Sequence, residues 1–112
     1  MIVPASEVRV ILSTAGSRAE GKRIARALLD QELAACVNLI PGVASVYRWR
    51  DAVETAEEVV LLIKTRAGLL QATEAALRAA HSYEIPEVLV FIPESGHAEY
   101  VDWLLQSVRA PG

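Results

Sequence analysis

Hydrophobic and polar positions along this chain predict four strands and three helices. The run 8–14 reads as a strand. Ser17-Arg18-Ala19-Glu20 has the form of a capping box, in which the serine oxygen accepts from the N–H three residues on and the glutamate reaches back. Ile24, Ala27, Leu28 and Ala35 follow at helical spacing, so a first helix is expected over 17–32. The stretch 34–49 is strand-like and unusually long, interrupted by Pro41-Gly42 and tipped with aromatic residues. A turn over 50–53 leads to a second long strand, 57–65. A second helix is expected over 68–80 with Leu69, Leu70, Thr73, Ala76 and Leu77 inward. Pro86 ends the next loop, since the residue before a proline is pushed out of the helical region. A fourth strand, 87–92, is closed by Pro93, and a last helix covers 98–108.

The order β-α-β-β-α-β plus a terminal helix, with right-handed crossovers and a central hairpin, predicts an α+β fold. This is the ferredoxin-like split βαβ arrangement in a single domain spanning 1–112. Two helices then cover one face of an antiparallel sheet, and a monomer should keep the other face polar. In Val59-Val60-Leu61-Leu62-Ile63 and Val88-Leu89-Val90-Phe91-Ile92 both parities are apolar. One set faces the helices; the other calls for a second copy of the chain. An obligate homo-oligomer is the expectation.

Composition supports that expectation. Hydrophobic residues make up 53% of the 112 and charged residues only 22%, yet no apolar run reaches the roughly 20 residues of a membrane helix. The formal charge is −3, and the cations cluster only locally at Arg18, Lys22, Arg23 and Arg26, which gives no nucleic-acid footprint. A single cysteine excludes an internal disulfide and fits a reducing compartment. Pro4, Glu7 and Arg9 stand where a signal peptide would need a basic end and an apolar core. Cytoplasm is the default expectation.

Gly16 to Lys22 fits the first part of a phosphate-loop pattern, but Arg23 stands where the magnesium-binding hydroxyl belongs, and a helix starting at Ser17 leaves no open loop. Cys36 has three readings: nucleophile, metal ligand or buried packing residue, the last being commonest for a free cysteine. His81 and His97 lack zinc-type spacing. The segment His81-Ser82-Tyr83-Glu84-Ile85-Pro86-Glu87 is dense in functional residue types, and the topology sets it beside the end of the first strand. Cys36 belongs at the opposite end. His81 also suits a helix C-terminus, where the dipole favours a cation. Lys64, ending the apolar third strand, either snorkels or holds an anionic partner.

Five blocks in order resemble the CutA, or divalent-ion tolerance, family. They are Ala34-Ala35-Cys36-Val37-Asn38 with Pro41, Ser45 to Trp49, Glu57-Glu58 through Ile63-Lys64-Thr65, His81 to Glu87, and Tyr100 to Leu104. The resemblance covers the chain from Val8 onward. It implies a ferredoxin-like homotrimer with long strands reaching across subunits, and a link to tolerance of copper and other divalent cations. In members for which copper binding is proposed, a cysteine ends the first strand and two histidines end the second helix. The matching positions are Ser13, Ala80 and His81, so His81 is the metal candidate and Ser13 and Ala80 replace expected ligands. Ser82 replaces a usual proline, and Arg50-Asp51 replaces a glycine-containing bend.

Two functions are carried forward. The first is a cytoplasmic trimeric binding or regulatory protein of metal tolerance, with a divalent cation (copper) as its candidate ligand. The alternative is a small-molecule or anion-sensing trimer with intersubunit clefts lined by Cys36, Asn38, Trp49, Lys64, Tyr83 and Glu87. No catalytic residues are assigned: no nucleophile–base pair or complete cofactor loop is visible. Membrane and nucleic acid are not expected partners.

Overall fold

The computed structural model describes residues 1–111. Its elements are β1 (Ile2–Pro4), β2 (Val8–Ala15), α1 (Arg18–Asp30), β3 (Cys36–Trp49), β4 (Ala52–Arg66), a 3-10 turn (Ala67–Leu69) running into α2 (Leu70–Ala80), β5 (Leu89–Phe91), β6 (Ser95–His97) and α3 (Ala98–Gln106). The main sheet is antiparallel in the order β3-β4-β2-β5, the split βαβ topology expected from the sequence. The short ribbon β1–β6 has no counterpart in the predicted elements. Three-residue strands containing Pro4 and Gly96 carry no periodicity to read.

Strand parity divides the molecule. Ile11, Ala15, Val59, Leu61 and Ile63 point to one face and are sealed by Ile24 and Leu28 of α1 and Leu77 of α2. These eight apolar side chains form the centre of the core, and burial of each larger one contributes about 1.5–3 kcal/mol. On the opposite face lie Val10, Leu12, Val60 and Leu62, with Ile40, Leu89 and Phe91 more open around them. Phe91 and Leu89 are each 53% exposed, far above what a lone apolar edge residue needs to explain it. α3 covers only one end of this face, where Val101 and Leu104 pack against Ala5 and Val8.

β4 starts at Ala52, five residues before the apolar run suggests, because pairing with β3 continues from Glu57 out to the tip. β2 ends opposite Val59, so the hairpin beyond Glu58 is a two-stranded arm, and the molecule extends 46 Å along its longest axis. The turn is only Arg50-Asp51, both residues left-handed at φ 48° and 67°, as a tight primed hairpin turn requires. Farther down, the register shifts between Ile40 and Val43, where β3 carries one extra residue at Pro41-Gly42. Gly42 takes φ +73°, which a residue with Cβ resists. This bulge absorbs the odd residue, so Val43, Ser45, Tyr47 and Trp49 share the face of Ile40 and Glu58.

Candidate functional site

The site grows from the start of α1. Ser17 sits in extended conformation and its Oγ accepts from Glu20 N–H at 3.1 Å, the first half of the expected capping box. The second half differs. Glu20 Oε1 accepts from Gly16 N–H at 3.1 Å, and Oε2 accepts from Ser82 N–H at 2.8 Å. Glu20 therefore clamps the end of β2 and the start of α1 to the loop after α2. Burial alone would raise this carboxyl, but hydrogen bonds from Ser82 and Gly16 outweigh it and hold it below the ordinary value of 4.5.

His81 caps α2 with its side chain wholly buried. Nε2 lies 2.7 Å from the Thr14 carbonyl, which can only accept, and Nδ1 lies 3.0 Å from Tyr83 N–H, which can only donate. The imidazole is thus the neutral Nε2–H tautomer with both nitrogens engaged. It is a buried strut joining α2 to β2 rather than a cation at a helix end. The Tyr83 ring packs on it at 4.6 Å between centroids.

Tyr83 in turn donates its hydroxyl to Glu58 Oε2 at 2.7 Å. Burial first, then this bond and the Glu58 charge, raise the phenol well above 10.0. Glu58 is only 8% exposed, and the Tyr83 hydroxyl takes one of its two carboxylate oxygens. Between the hairpin arm and the 83–87 loop opens a cleft of about 620 Å3, floored by Glu58 and Thr14 and walled by Tyr47, Trp49, Tyr83 and Glu87. Arg50 at the arm's tip reaches Glu84 at 3.2 Å and stacks over Trp49 at 5.2 Å, which fixes arm and loop on either side of the cleft.

The candidate residues thus fall into two groups. Trp49, Tyr83 and Glu87 line the cleft. Cys36, Asn38 and Lys64 gather farther along the sheet, with Lys64 six residues along β4 from Glu58, where Lys64 Nζ donates to Asn38 Oδ1 and lies 4.0 Å from Cys36 Sγ. Within one chain Cys36 and His81 are kept at opposite ends, as the topology predicts. Glu58, Glu20 and Tyr47 were not among the sequence candidates. Glu58 was findable: it is a carboxylate on the same parity as Val60 and Leu62, at the mouth of an apolar run. Glu20 was legible only as a cap.

The copper-type donor set does not fit the positions that resemblance assigns to it. Both His81 nitrogens are taken, Ala80 has no donor, and Ser13 offers a buried neutral hydroxyl without a partner among the described residues. No group of three or more His, Cys, Asp or Glu side chains suited to a metal ion occurs among the described residues.

The family model for CutA1 divalent ion tolerance protein matches residues 9–107. The chain belongs to the CutA1 family. It is 41% identical over 106 residues to the divalent-cation tolerance protein CutA of Pectobacterium atrosepticum, covering 95% of this chain and 96% of that one. The crystal structure of CutA from Xylella fastidiosa superposes with a TM-score of 0.90 at 38% identity, covering 93% of this chain and all of the other. CutA from Synechococcus elongatus PCC7942, described as complexed with a Bis-Tris molecule, matches at TM-score 0.89 and 32% identity, over 96% of this chain and 100% of that one. Against the chloroplastic CutA 1 of Oryza sativa, 41% identical over 100 residues, the match covers 89% of this chain but only 56% of the longer relative.

Proposed function

We propose that this CutA1 family chain works as a homotrimeric, non-enzymatic binding protein of the cytoplasm that serves tolerance of divalent cations. The observation that supports self-association is the uncovered sheet face. Val10, Leu12, Val60 and Leu62 form a continuous apolar strip flanked by half-exposed Leu89 and Phe91, and α3 reaches only one end of it. Light scattering coupled to size exclusion should give three times the 12.1 kDa chain mass. A stable monomer at micromolar concentration overturns the reading.

The metal part has a distinctive expectation. Copper contact at His81 requires Nδ1 to release the Tyr83 N–H, so such binding is weak and comes with disturbance of the cleft. Calorimetry with Cu2+ on the intact oligomer tests this, with His81→Ala as the comparison. Heats no larger than background for the parent protein remove copper from the proposal.

The cleft favours a second reading, a trimer that senses a small molecule. It is large enough for a metabolite, has aromatic walls, and keeps a buried carboxylate at its floor. The Bis-Tris complex of the Synechococcus relative is consistent with a small-molecule role. The anion version of this reading is disfavoured, because no lysine or arginine is among the lining residues. Melting shifts across a metabolite panel separate the two readings: a metal-only response supports the first, a response to organic compounds the second.

A further inference from the structure

We infer that Cys36 and Lys64 form a redox modification site, where peroxide oxidation of the thiol is captured by the lysine amine as a reversible sulfur–nitrogen crosslink. Register brings the two together. Cys36 on β3 and Lys64 on β4 are direct cross-strand partners, twenty-eight residues apart in sequence. Antiparallel partners project from the same face, with Cβ atoms about 4.5–5.5 Å apart. Lys64 Nζ lies 4.0 Å from Cys36 Sγ, within hydrogen-bond reach of sulfur.

The amine is held there, but loosely. Asn38, on the same face of β3 as Cys36, accepts from Lys64 Nζ and draws the lysine stem back across the strand. Lys64 takes part in none of the ion pairs among the described residues. A neutral amide holds an ammonium less tightly than a carboxylate does, so a rotation of the flexible stem carries Nζ onto sulfur. The chain has only one other lysine, Lys22, which is exposed on α1.

The surroundings admit a small oxidant. Cys36 and Lys64 are half-buried while Asn38 beside them is exposed, so a peroxide reaches sulfur from that open side. Tyr100 of α3 is near enough to respond to the cysteine: burial first, then charge on Cys36, raise its phenol above 10.0. With no second cysteine in the chain, an oxidised Cys36 has no intrachain thiol to meet, and Lys64 is the nucleophile beside it.

The chemistry balances with hydrogen peroxide as oxidant. Sulfur attacks one peroxide oxygen, the O–O bond breaks and water leaves, which gives the sulfenic acid Cys36–SOH. Sulfur loses two electrons and the peroxide gains them. Lys64 Nζ then attacks sulfur as the free amine. The S–N bond forms, the S–O bond breaks, and the hydroxyl departs with one amine proton as a second water. Two external thiols reduce the resulting sulfenamide back to thiol and amine and leave as their own disulfide. The link keeps sulfur from the irreversible sulfinic and sulfonic acids and staples β3 to β4.

The test uses the intact, fully reduced protein in its native oligomeric state, treated with a small excess of hydrogen peroxide at mildly alkaline pH and then alkylated with iodoacetamide. Intact mass should show a non-alkylated species about 2 Da lighter than the untreated chain, restored by dithiothreitol. With a single cysteine, no intrachain disulfide can mimic that loss. Tryptic mapping should join the Cys36 and Lys64 peptides, with cleavage after Lys64 missed. Lys64→Arg keeps a charged donor without a nucleophilic amine. It should abolish the lighter species and raise sulfinic acid at Cys36 at least about threefold, whereas Lys22→Ala should change neither. A lighter species that persists in Lys64→Arg would assign the link to a backbone nitrogen and overturn the pairing. Oxygen-added or disulfide-joined chains alone, equal in parent and Lys64→Arg, or a Cys36 that peroxide leaves untouched, also overturn it.

Discussion

The Tyr83 hydroxyl donates to Glu58 Oε2 at 2.7 Å, tying the loop after α2 to the root of the hairpin arm. Twenty-five residues of sequence separate the two, and the floor of the cleft is held by this bond and the supports behind it. Glu20 holds Ser82, His81 holds the Tyr83 N–H, and Tyr83 holds Glu58.

Removing the hydroxyl should therefore loosen the cleft without dismantling the core. Tyr83→Phe is expected to destabilise by about 1–2 kcal/mol, the cost of one charge-assisted hydrogen bond with its acceptor left behind. Denaturant unfolding of parent and variant measures it. No change in the midpoint would show that the bond carries no weight in solution.

The raised phenol also sets an alkaline limit. Tyr83 ionises at higher pH in the folded chain than its unfolded value of 10.0, so the fold binds the extra proton. Its stabilisation is complete below pH 10 and declines as pH rises above that towards the folded value. Absorbance titration of the three tyrosines should show that Tyr83→Phe removes a late-ionising component and leaves the earlier part of the curve in place.

Glu20 gives the opposite sign. Its carboxyl ionises below 4.5 in the folded chain, so its contribution is present above that pH and fades as pH falls through the folded value. Glu20→Ala orphans the N–H groups of Gly16 and Ser82, and a loss of about 2–4 kcal/mol is expected near neutrality. The parent's advantage over the variant should shrink on acidification. A gap that stays constant down to pH 3 would contradict the assignment.

The hairpin tip is improvable. Asp51 takes φ 67° with a side chain attached, and glycine adopts that conformation without the Cβ penalty. Asp51→Gly should raise stability by about 0.5–1 kcal/mol, whereas Gly42→Ala at φ +73° should lower it by about 1–2 kcal/mol. Both are read from thermal unfolding, and their opposite signs distinguish backbone strain from lost contacts, since nothing lies within 4 Å of a Cβ at position 42.

Copper affinity should respond to reinstating the ligands that resemblance places here. The double variant Ser13→Cys, Ala80→His is expected to bind Cu2+ at least about a hundredfold tighter than the parent, because thiolate and imidazole are far better donors than a hydroxyl and a methyl. Competition with a chromophoric chelator measures it. Unchanged affinity would show that these positions do not make a copper site on this scaffold.

Phe91→Glu tests the sheet face. A charge at the centre of a buried subunit interface costs several kcal/mol, while at an exposed monomer position it costs almost nothing. Loss of the oligomer with retained secondary structure is the expected result, read as a fall in mass by light scattering.

Much of the fold was legible because periodicity is local. The parity of Val59 to Ile63 separated a helix-facing set from a second apolar set, and Ser17 with Glu20 marked the start of α1 within one residue. Errors fell where local pattern is weak. The arm from Ala52 to Glu57 mixes small, apolar and charged residues on both faces, so only its ladder with β3 makes it a strand, and the β1–β6 ribbon exists only because Met1 to Pro4 meets the chain near Gly96.

By itself, then, the sequence determined the order of the elements of the main sheet and its helices, the family, and a sheet with two apolar faces, because each of these is written in spacing along the chain. It also marked 81–87 as rich in chemistry. Only the tertiary structure decided what that chemistry is. His81 reads as a metal candidate or a helix-end cation and is a buried strut, since two backbone groups from different segments claim both nitrogens. Glu58 reads as one polar residue near the start of a strand, and becomes the floor of a cleft because Tyr83 arrives from a distant loop to take one of its oxygens. Hydrogen-bond partners and burial depend on which distant segments meet, and linear spacing does not encode that.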